Sequence, residues 1–300
     1  MPRSVRNILL SAILVALVPL GLHARQVTID TARGPVTLAA APEKIAVYDI
    51  AAIDTLTALG VPVAGVPDRL YLDSLAMLKD GTTVIGTLFE PDLERLAMLA
   101  PDLIVVGGRS ATQFDAVAPL APVIDMTIWE DPLTQARARL TAYGVLFDRV
   151  EAAAALDAAL SAKIASVRQA AAGKGSALIV MTNGPKLSAY GRGTRFGWIH
   201  DALGIAQAHP GLDPQVHGDA ISLEFIAAVD PDWLIVVDRS AAIGQAAAAN
   251  ATLDNPLVAG TKAAQAGQII ALSAAPVYIA GGGYGAMMTT LQELMSAFEN

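Results

Sequence analysis

The sequence predicts an α/β protein made of two pseudo-equivalent α/β lobes, each with a central sheet, joined by one long backbone helix. Three observations lead there. Two stretches 130 residues apart, "LERLAMLAPDLIVVGGRSA" ending at Ala111 and "LEFIAAVDPDWLIVVDRSA" ending at Ala241, read almost alike. Leu93, Glu94, Ala97, Pro101, Asp102, Val106, Arg109, Ser110 and Ala111 align without a gap on Leu223, Glu224, Ala227, Pro231, Asp232, Val236, Arg239, Ser240 and Ala241. Each stretch runs from a short apolar helix through a Pro-Asp break into a buried run such as "LIVV", the signs of an αβ unit in a parallel sheet. Between the two copies, "FDRVEAAAALDAALSAKIASVRQAAAG" sets Leu156, Leu160, Ile164 and Val167 at helical spacing among alanines, with Gly173 to end the helix.

At 300 residues, 54% hydrophobic and 16% charged, the chain can bury a large core, and its length fits two domains of ordinary size. The expected division is an N-terminal lobe over 25–147, a connecting helix over 148–173 and a C-terminal lobe over 174–300. Residues 1–24 place Arg3 and Arg6 ahead of an apolar run from Ile8 to Leu20, which reads as a secretory signal peptide cut after Ala24. A membrane anchor needs about 20 apolar residues, and Pro19 and Gly21 break this shorter run. Leu22 is bulky for its place before the cut, so a cleavage point a few residues away fits as well. Cysteine is absent, which excludes a disulfide framework, thiol chemistry and a lipid-modified cysteine. The expected product is a freely soluble exported protein, periplasmic in a bacterium. Losing Arg3 and Arg6 takes the net charge from −8 to −10, a poor match for nucleic acid.

In chain order, "QVTIDTARGPVTL" alternates as strands do, "KIAVYD" reads as a buried strand, and "IAAIDTLTALG" reads as the helix it feeds, ended at Gly60. "VPVAGVP" follows as the next short strand. The second half repeats the plan with the strand "SALIVMTN", an insertion with a glycine-rich turn, and the helix "FGWIHDALGIAQA". At about 1.5 Å per residue the connecting helix spans roughly 37 Å, enough to run beside both lobes. A rigid helical connector permits less closure than a multi-strand hinge, so binding with modest motion is expected.

Ligands of open α/β sheets bind beyond the carboxyl ends of the strands, so Arg109 and Arg239, each just past a strand, aim at one shared crevice. Either one alone reads equally well as a solvated loop residue; the repetition argues for a role. Arg192 and Arg195 sit between glycines in "SAYGRGTRFG", a loop that lets a guanidinium reach a ligand, and the order of the two is left open. Forked guanidinium donors suit oxygen-rich anions, and a cationic cleft in an acidic protein argues for an anionic ligand. His200 is expected to pack or cap, and His209 to lie in a loop. His217, in "PQVHGD", either points into the crevice or is a plain loop histidine. "GGGYGA" at Gly281 to Ala286 has dinucleotide-like spacing but too little chain after it, and reads as a tight backbone approach. There is no Gly-x-Ser-x-Gly elbow to support a hydrolase.

Taken together, "KIAVYDIAAIDTLTALGV", "GTLFEPDLERLAMLAPDLIVVGGRSA", "AYGRGTRFG", "VHGDAISLEFIAAVDPDWLIVVDRSA" and "PVYIAGGG" run over nearly the whole mature chain. They resemble the periplasmic substrate-binding proteins of ABC importers for ferric siderophores, specifically the catecholate-siderophore binders. The resemblance implies no enzymatic activity, no intrinsic cofactor, and an Fe(III)-siderophore as the ligand. It implies that Arg109, Arg195 and Arg239 surround the catecholate oxygens, with Arg192 able to replace or assist Arg195. It also implies that His217 and Tyr278 can coordinate Fe(III) directly.

Coordination chemistry agrees with that set. Ferric iron is a hard ion that favours six ligands and oxygen donors; a phenolate suits it and an imidazole is acceptable. A tetradentate bis-catecholate leaves two positions open for one Tyr and one His, whereas a hexadentate tris-catecholate leaves none and relies on the arginines. Without an iron role, Tyr278 is a packing aromatic. The resemblance further implies that Glu94 and Glu224 dock one on each lobe against arginines of the membrane permease, with Glu90 as an alternative for the first contact. Otherwise both are ordinary exposed helix glutamates. The implied partners are a ferric catecholate siderophore and an ABC-importer permease, with the protein itself a monomer. The nearest alternative keeps the fold but binds haem, cobalamin or another chelate; the arginines argue against a neutral hydroxamate. An alternative of another class, a secreted hydrolase, predicts turnover of a ligand that a binder returns unchanged.

Overall fold

The computed structural model describes residues 25–214 and 217–299, so the expected signal peptide lies outside the described residues. The lead-in folds into an antiparallel hairpin, β1 (Gln26–Thr31) with β2 (Gly34–Ala39). The N-terminal lobe holds β3 (Ile45–Val47), β4 (Gly65–Val66), β5 (Thr83–Val84), β6 (Leu103–Val106) and β7 (Val123–Asp125) in one parallel sheet of order β5-β4-β3-β6-β7. The C-terminal lobe holds β8 (Ser176–Asn183), β9 (Lys186–Tyr190), β10 (Ala206–Gln207), β11 (Asp219–Ile221), β12 (Trp233–Asp238) and β13 (Ile269–Leu272). Its sheet is mixed, in the order β11-β9-β8-β12-β13 with β10 also on β8; β9 runs antiparallel to both β8 and β11.

Two local expectations are corrected here. The insertion after β8 is partly a strand: Gly184, at φ 57°, turns the chain back so that β9 adds to the sheet. The helix expected over "FGWIHDALGIAQA" covers only Trp198–Leu203, because Gly204 at φ 68° ends it and the next residues leave as β10.

The sequence repeat is a repeat of structure. Helices Leu93–Leu99 and Leu223–Val229 start on the side-chain caps Asp92 and Ser222 and end on Ala100 and Asp230, both left-handed at φ 48° and 47°. The Pro-Asp break that follows has the same job in each lobe. Asp102 Oδ2 accepts the backbone N–H groups of Glu43 and Lys44 at 3.1 and 2.8 Å. Asp232 Oδ2 accepts the N–H and hydroxyl of Ser176 at 2.8 and 3.0 Å. A carboxylate at the foot of one strand thus ties the foot of its neighbour, and the ladders continue with Ile45 opposite Leu103 and Ala177 opposite Trp233.

Helix Val150–Ala171 runs beside both lobes. Ala153 lies in the N-terminal core with Ile53, Leu56 and Val105, and Leu156 packs against that core. Leu160, Ile164 and Val167 enter the C-terminal core with Ile179, Ile235 and Leu291. The last helix, Tyr284–Glu299, also spans the lobes: Leu291, Leu294 and Phe298 pack in the C-terminal core, while Ala286 in its first turn joins the N-terminal one.

Asp54, buried on helix Ile50–Ala58, secures that crossing. Its Oδ2 accepts the Ala286 N–H at 3.0 Å, and the neighbouring Thr55 Oγ1 accepts the Tyr284 N–H at 3.2 Å. One lobe therefore caps a helix that packs on the other, satisfying N–H groups that have no partner within the helix. The approach needs glycine: a Cβ on Gly283 or Gly285 would stand 2.6 or 2.7 Å from an Asp54 carboxylate oxygen. Burial pushes the Asp54 carboxyl up from 3.8 to about 6, against the pull of the Ala286 and Gly285 N–H groups. A carboxyl raised in the folded state contributes stability that is fully present below the unfolded value and lost as pH rises through the folded one. Two pKa units correspond to about 3 kcal/mol. Urea unfolding at about pH 3 and about pH 7 should therefore show wild type losing about that much relative to Asp54→Asn, which keeps an acceptor but does not titrate. Parallel pH dependence in the two proteins would rule the strut out as a titrating group.

Candidate functional site

Topology locates the site first. The winding of the N-terminal sheet reverses between β3 and β6, and that of the C-terminal sheet between β8 and β12, the places where such sheets open a crevice. The chain leaves β3 into Asp49 and β6 into Arg109; it ends β8 at Asn183 and leaves β12 into Arg239. Each lobe thus puts one Asx side chain and one arginine at its switch point. Arg109 rides on the turn Gly108–Gln113, entered through Gly108 at φ 50°, whose N–H donates to Thr127 Oγ1 at 2.9 Å. Arg239 opens the short helix Arg239–Ala242, held by Asp238, whose carboxylate accepts the N–H groups of Ala241, Ala248 and Ala249.

The arginines meet at Tyr278, the last residue of helix Ala274–Tyr278. Its backbone carbonyl accepts Arg109 Nη2 at 3.1 Å and Arg195 Nη2 at 2.9 Å, so one oxygen is shared between the two lobes. Its phenol oxygen accepts Arg239 Nε at 3.0 Å, and Arg239 Nη1 donates to Asn183 Oδ1 at 3.1 Å. The guanidinium carbons of Arg109, Arg195 and Arg239 stand 4.8, 4.4 and 6.0 Å from the Tyr278 ring centroid, within cation–π range. Arg195 also faces the rings of Trp129 and Phe196 at 5.6 and 5.0 Å.

This arrangement tunes the phenol. Burial acts to raise the Tyr278 pKa, but the Arg239 hydrogen bond and the charges of Arg109, Arg195 and Arg239 outweigh it, and the group lies below its ordinary 10.0. Tyr190, buried nearby, goes the other way: burial pushes it up to about 12. The Arg195 guanidinium is itself held below its ordinary value, first by burial and then by the charge of Arg109. What the cleft offers is therefore a set of donors and an ionisable phenol facing a common space.

Arg192, grouped by the sequence reading with the ligand-binding arginines, is placed elsewhere. Its backbone N–H donates to Gln207 Oε1 at 2.6 Å and its guanidinium pairs with Asp201, both side chains about half exposed, so Arg195 alone reaches the cleft from this loop. His217 is exposed, its ring edge-on to Trp129 at a centroid distance of 6.2 Å; Gln215 and Val216 before it lie outside the described residues. His200 is a core residue, its Nδ1 3.2 Å from the Ile205 carbonyl. Glu94 and Glu224 are exposed on the first turns of the repeated helices. Asp49, Trp129 and Trp198 also line the cleft; from the sequence the two tryptophans are expected only to report binding by their fluorescence, and Asp49 has no assigned role. Burial pushes Asp49 up to about 6, partly offset by the Ala52 and Ala51 N–H groups and by Arg109.

The periplasmic binding protein family matches residues 45–276, most of the described chain. The chain belongs to this family. Its members are extracytoplasmic solute binders, not enzymes. Among relatives, the petrobactin-binding protein YclQ of Bacillus subtilis is 31% identical over 86% of this chain and 83% of its own. The ferric-anguibactin-binding protein FatB of Vibrio anguillarum is 27% identical over 91% of this chain and 88% of its own. The crystal structure of YclQ superposes with a TM-score of 0.87 over 92% of this chain and 99% of that one, at 30% identity. That of the periplasmic catecholate-siderophore binding protein VctP of Vibrio cholerae gives 0.84 over 91% and 100%, at 28% identity. No helix among the described residues of this binding protein is long and apolar enough to cross a membrane.

Tyrosinate difference spectra should contain one phenol that ionises below the ordinary range. Tyr278→Phe should remove it, and Arg239→Gln should move it upward by deleting the hydrogen bond to the phenolate. Survival of the earliest-ionising tyrosine in Tyr278→Phe would refute the assignment.

Proposed function

We propose that this protein captures a ferric catecholate siderophore in the cleft between its lobes, a bis-catecholate or tetradentate chelate being favoured, and delivers it to an ABC permease. The observation that carries the reading is the meeting of Arg109, Arg195 and Arg239 at Tyr278. Three cations gathered in a partly buried cleft repel one another, and an oxygen-rich anion relieves that repulsion. The arginines here donate to carbonyl, amide and phenol oxygens, which catecholate oxygens can replace while bringing charge as well.

The iron travels as cargo within the chelate. The guanidinium groups that lower the Tyr278 pKa ease the loss of its proton to a metal, which gives Fe(III) a hard oxygen donor, and His217 supplies an imidazole from the loop beside Trp129. Tyr278 and His217 would then fill the two positions a tetradentate chelate leaves open. The names of YclQ, FatB and VctP point the same way, toward petrobactin, ferric anguibactin and catecholate siderophores. The reading includes export through the cleaved signal at 1–24, a monomer in the periplasm, and docking of Glu94 and Glu224, one from each lobe, on basic side chains of the permease.

Titration of signal-free protein with a ferric bis-catecholate should quench Trp129 and Trp198, which line the cleft, and shift the visible charge-transfer band. Tyr278→Phe and His217→Ala should each remove the band shift, and Arg109→Gln or Arg239→Gln should weaken binding about 10- to 100-fold, the range for a lost charge-assisted hydrogen bond. Absence of saturable quenching at micromolar chelate would discard the catecholate assignment. Glu94→Lys or Glu224→Lys should abolish uptake while leaving chelate affinity intact; normal uptake would remove the docking assignment.

A further inference from the structure

The two repeated helices carry the same glutamate but not the same surroundings. Of the seven large apolar side chains exposed among the described residues, three fall between residues 89 and 98: Phe89 at 57%, Leu93 at 45% and Met98 at 80%. Met98 stands one helical turn beyond Glu94, on the same face. Phe89 sits on the turn that leads into that helix. In the C-terminal lobe Ala228 takes the place of Met98, and the stretch ahead of Glu224, where Asp219 stands at the same offset from the glutamate as Phe89, is the strand β11 and carries no exposed aromatic turn. Leu223 is only partly exposed there, and the Asp219 carboxylate is engaged locally, accepting the Asp213 N–H at 2.6 Å.

Phe89 is not on a loose loop. Thr87 Oγ1 accepts the N–H groups of both Phe89 and Glu90, at 3.1 and 3.0 Å, and the Thr87 N–H donates to the Glu90 carbonyl at 2.9 Å. Gly86, at φ 108°, allows the turn to close: a Cβ there would lie 2.4 Å from the Asp92 nitrogen and from the Glu90 oxygen. The preceding Leu88 uses the same turn to bury itself in the N-terminal core. A fixed turn that buries one apolar residue and holds the next in water gains nothing for folding from the second. A preorganised aromatic with acidic neighbours is instead the form of an interface anchor.

We propose that Phe89 and Met98 flank Glu94 as an apolar anchor that seats the N-terminal lobe on the membrane permease, so that two lobes alike in fold dock with different partners and in one orientation. The proposal rests on the permease-docking reading of Glu94 and Glu224. Glu90 and Glu94 beside the anchor select a basic surface with an apolar socket, and they argue against a second copy of this chain, whose net charge is −8.

The test is binding of chelate-loaded full-length mature protein to the importer's permease–ATPase complex in nanodiscs. The double variant Phe89→Ser/Met98→Ser should weaken binding about 10-fold or more, the scale of a lost hot spot, with chelate affinity and melting temperature unchanged. The C-terminal pair Asp219→Ala/Ala228→Ser should change it less than about 2-fold, as rim contacts do. If the Phe89/Met98 variant binds like wild type while Glu94→Lys does not bind, the apolar anchor is overturned and the glutamate docking stands. If Glu94→Lys also binds normally, the docking reading falls with it. Concentration-dependent self-association that Phe89→Ser abolishes would assign the patch to a second copy and overturn the permease as its occupant.

Discussion

Three guanidinium groups gathered on one tyrosine set the terms for the rest of this molecule. Like charges at such spacing repel more strongly the less water lies between them and need acceptors, and the chain supplies those acceptors from neutral atoms. The Tyr278 carbonyl serves Arg109 and Arg195, while the Tyr278 phenol and Asn183 serve Arg239. None of the ion pairs among the described residues includes Arg109, Arg195 or Arg239. Had carboxylates been paired with them, the charge would already be spent. Neutral acceptors orient the guanidinium groups and leave their charge available to an anion.

The topology that produces this cluster was legible because its signals are local. An arginine directly after a buried run marks the end of a strand, and meeting the same mark twice at one offset implied two lobes facing one crevice. The aspartates of the Pro-Asp breaks were visible as a pattern, though their role as ties between neighbouring strands needed coordinates. The β8–β9 hairpin was within reach too, since Asn183-Gly184 is a strong hairpin dipeptide. "KLSAY" after it alternates polar Lys186 and Ser188 with apolar Leu187 and Ala189, as a half-buried strand does.

The remaining site residues depend on contacts that no spacing encodes. Asp49 belongs to a quoted stretch, but it has no counterpart in the repeat, and only the placement of β3 beside β6 sets it near Arg109. Trp129 comes from the segment after β7 and meets Arg195 and His217 across the cleft from the other lobe. Arg192 and Arg195 have equivalent sequence surroundings, each among glycines. What separates them is Asp201, one turn into the following helix, which pairs with Arg192 and leaves Arg195 the aromatic wall.

Capture in such a cleft need not depend on a wide swing of the lobes. The lobes are already tied at three levels: by helix Val150–Ala171, whose apolar stripe enters both cores; by Asp54, which caps the last helix; and by the Tyr278 carbonyl, shared between Arg109 and Arg195. The first two ties lie outside the lining of the arginine cleft. The third consists of hydrogen bonds to a carbonyl, which a charged oxygen outcompetes. An oxygen-rich anion entering between the arginines can therefore exchange one set of acceptors for another while the packed connections stay in place, and the donors it meets favour a guest by its charge and oxygen geometry.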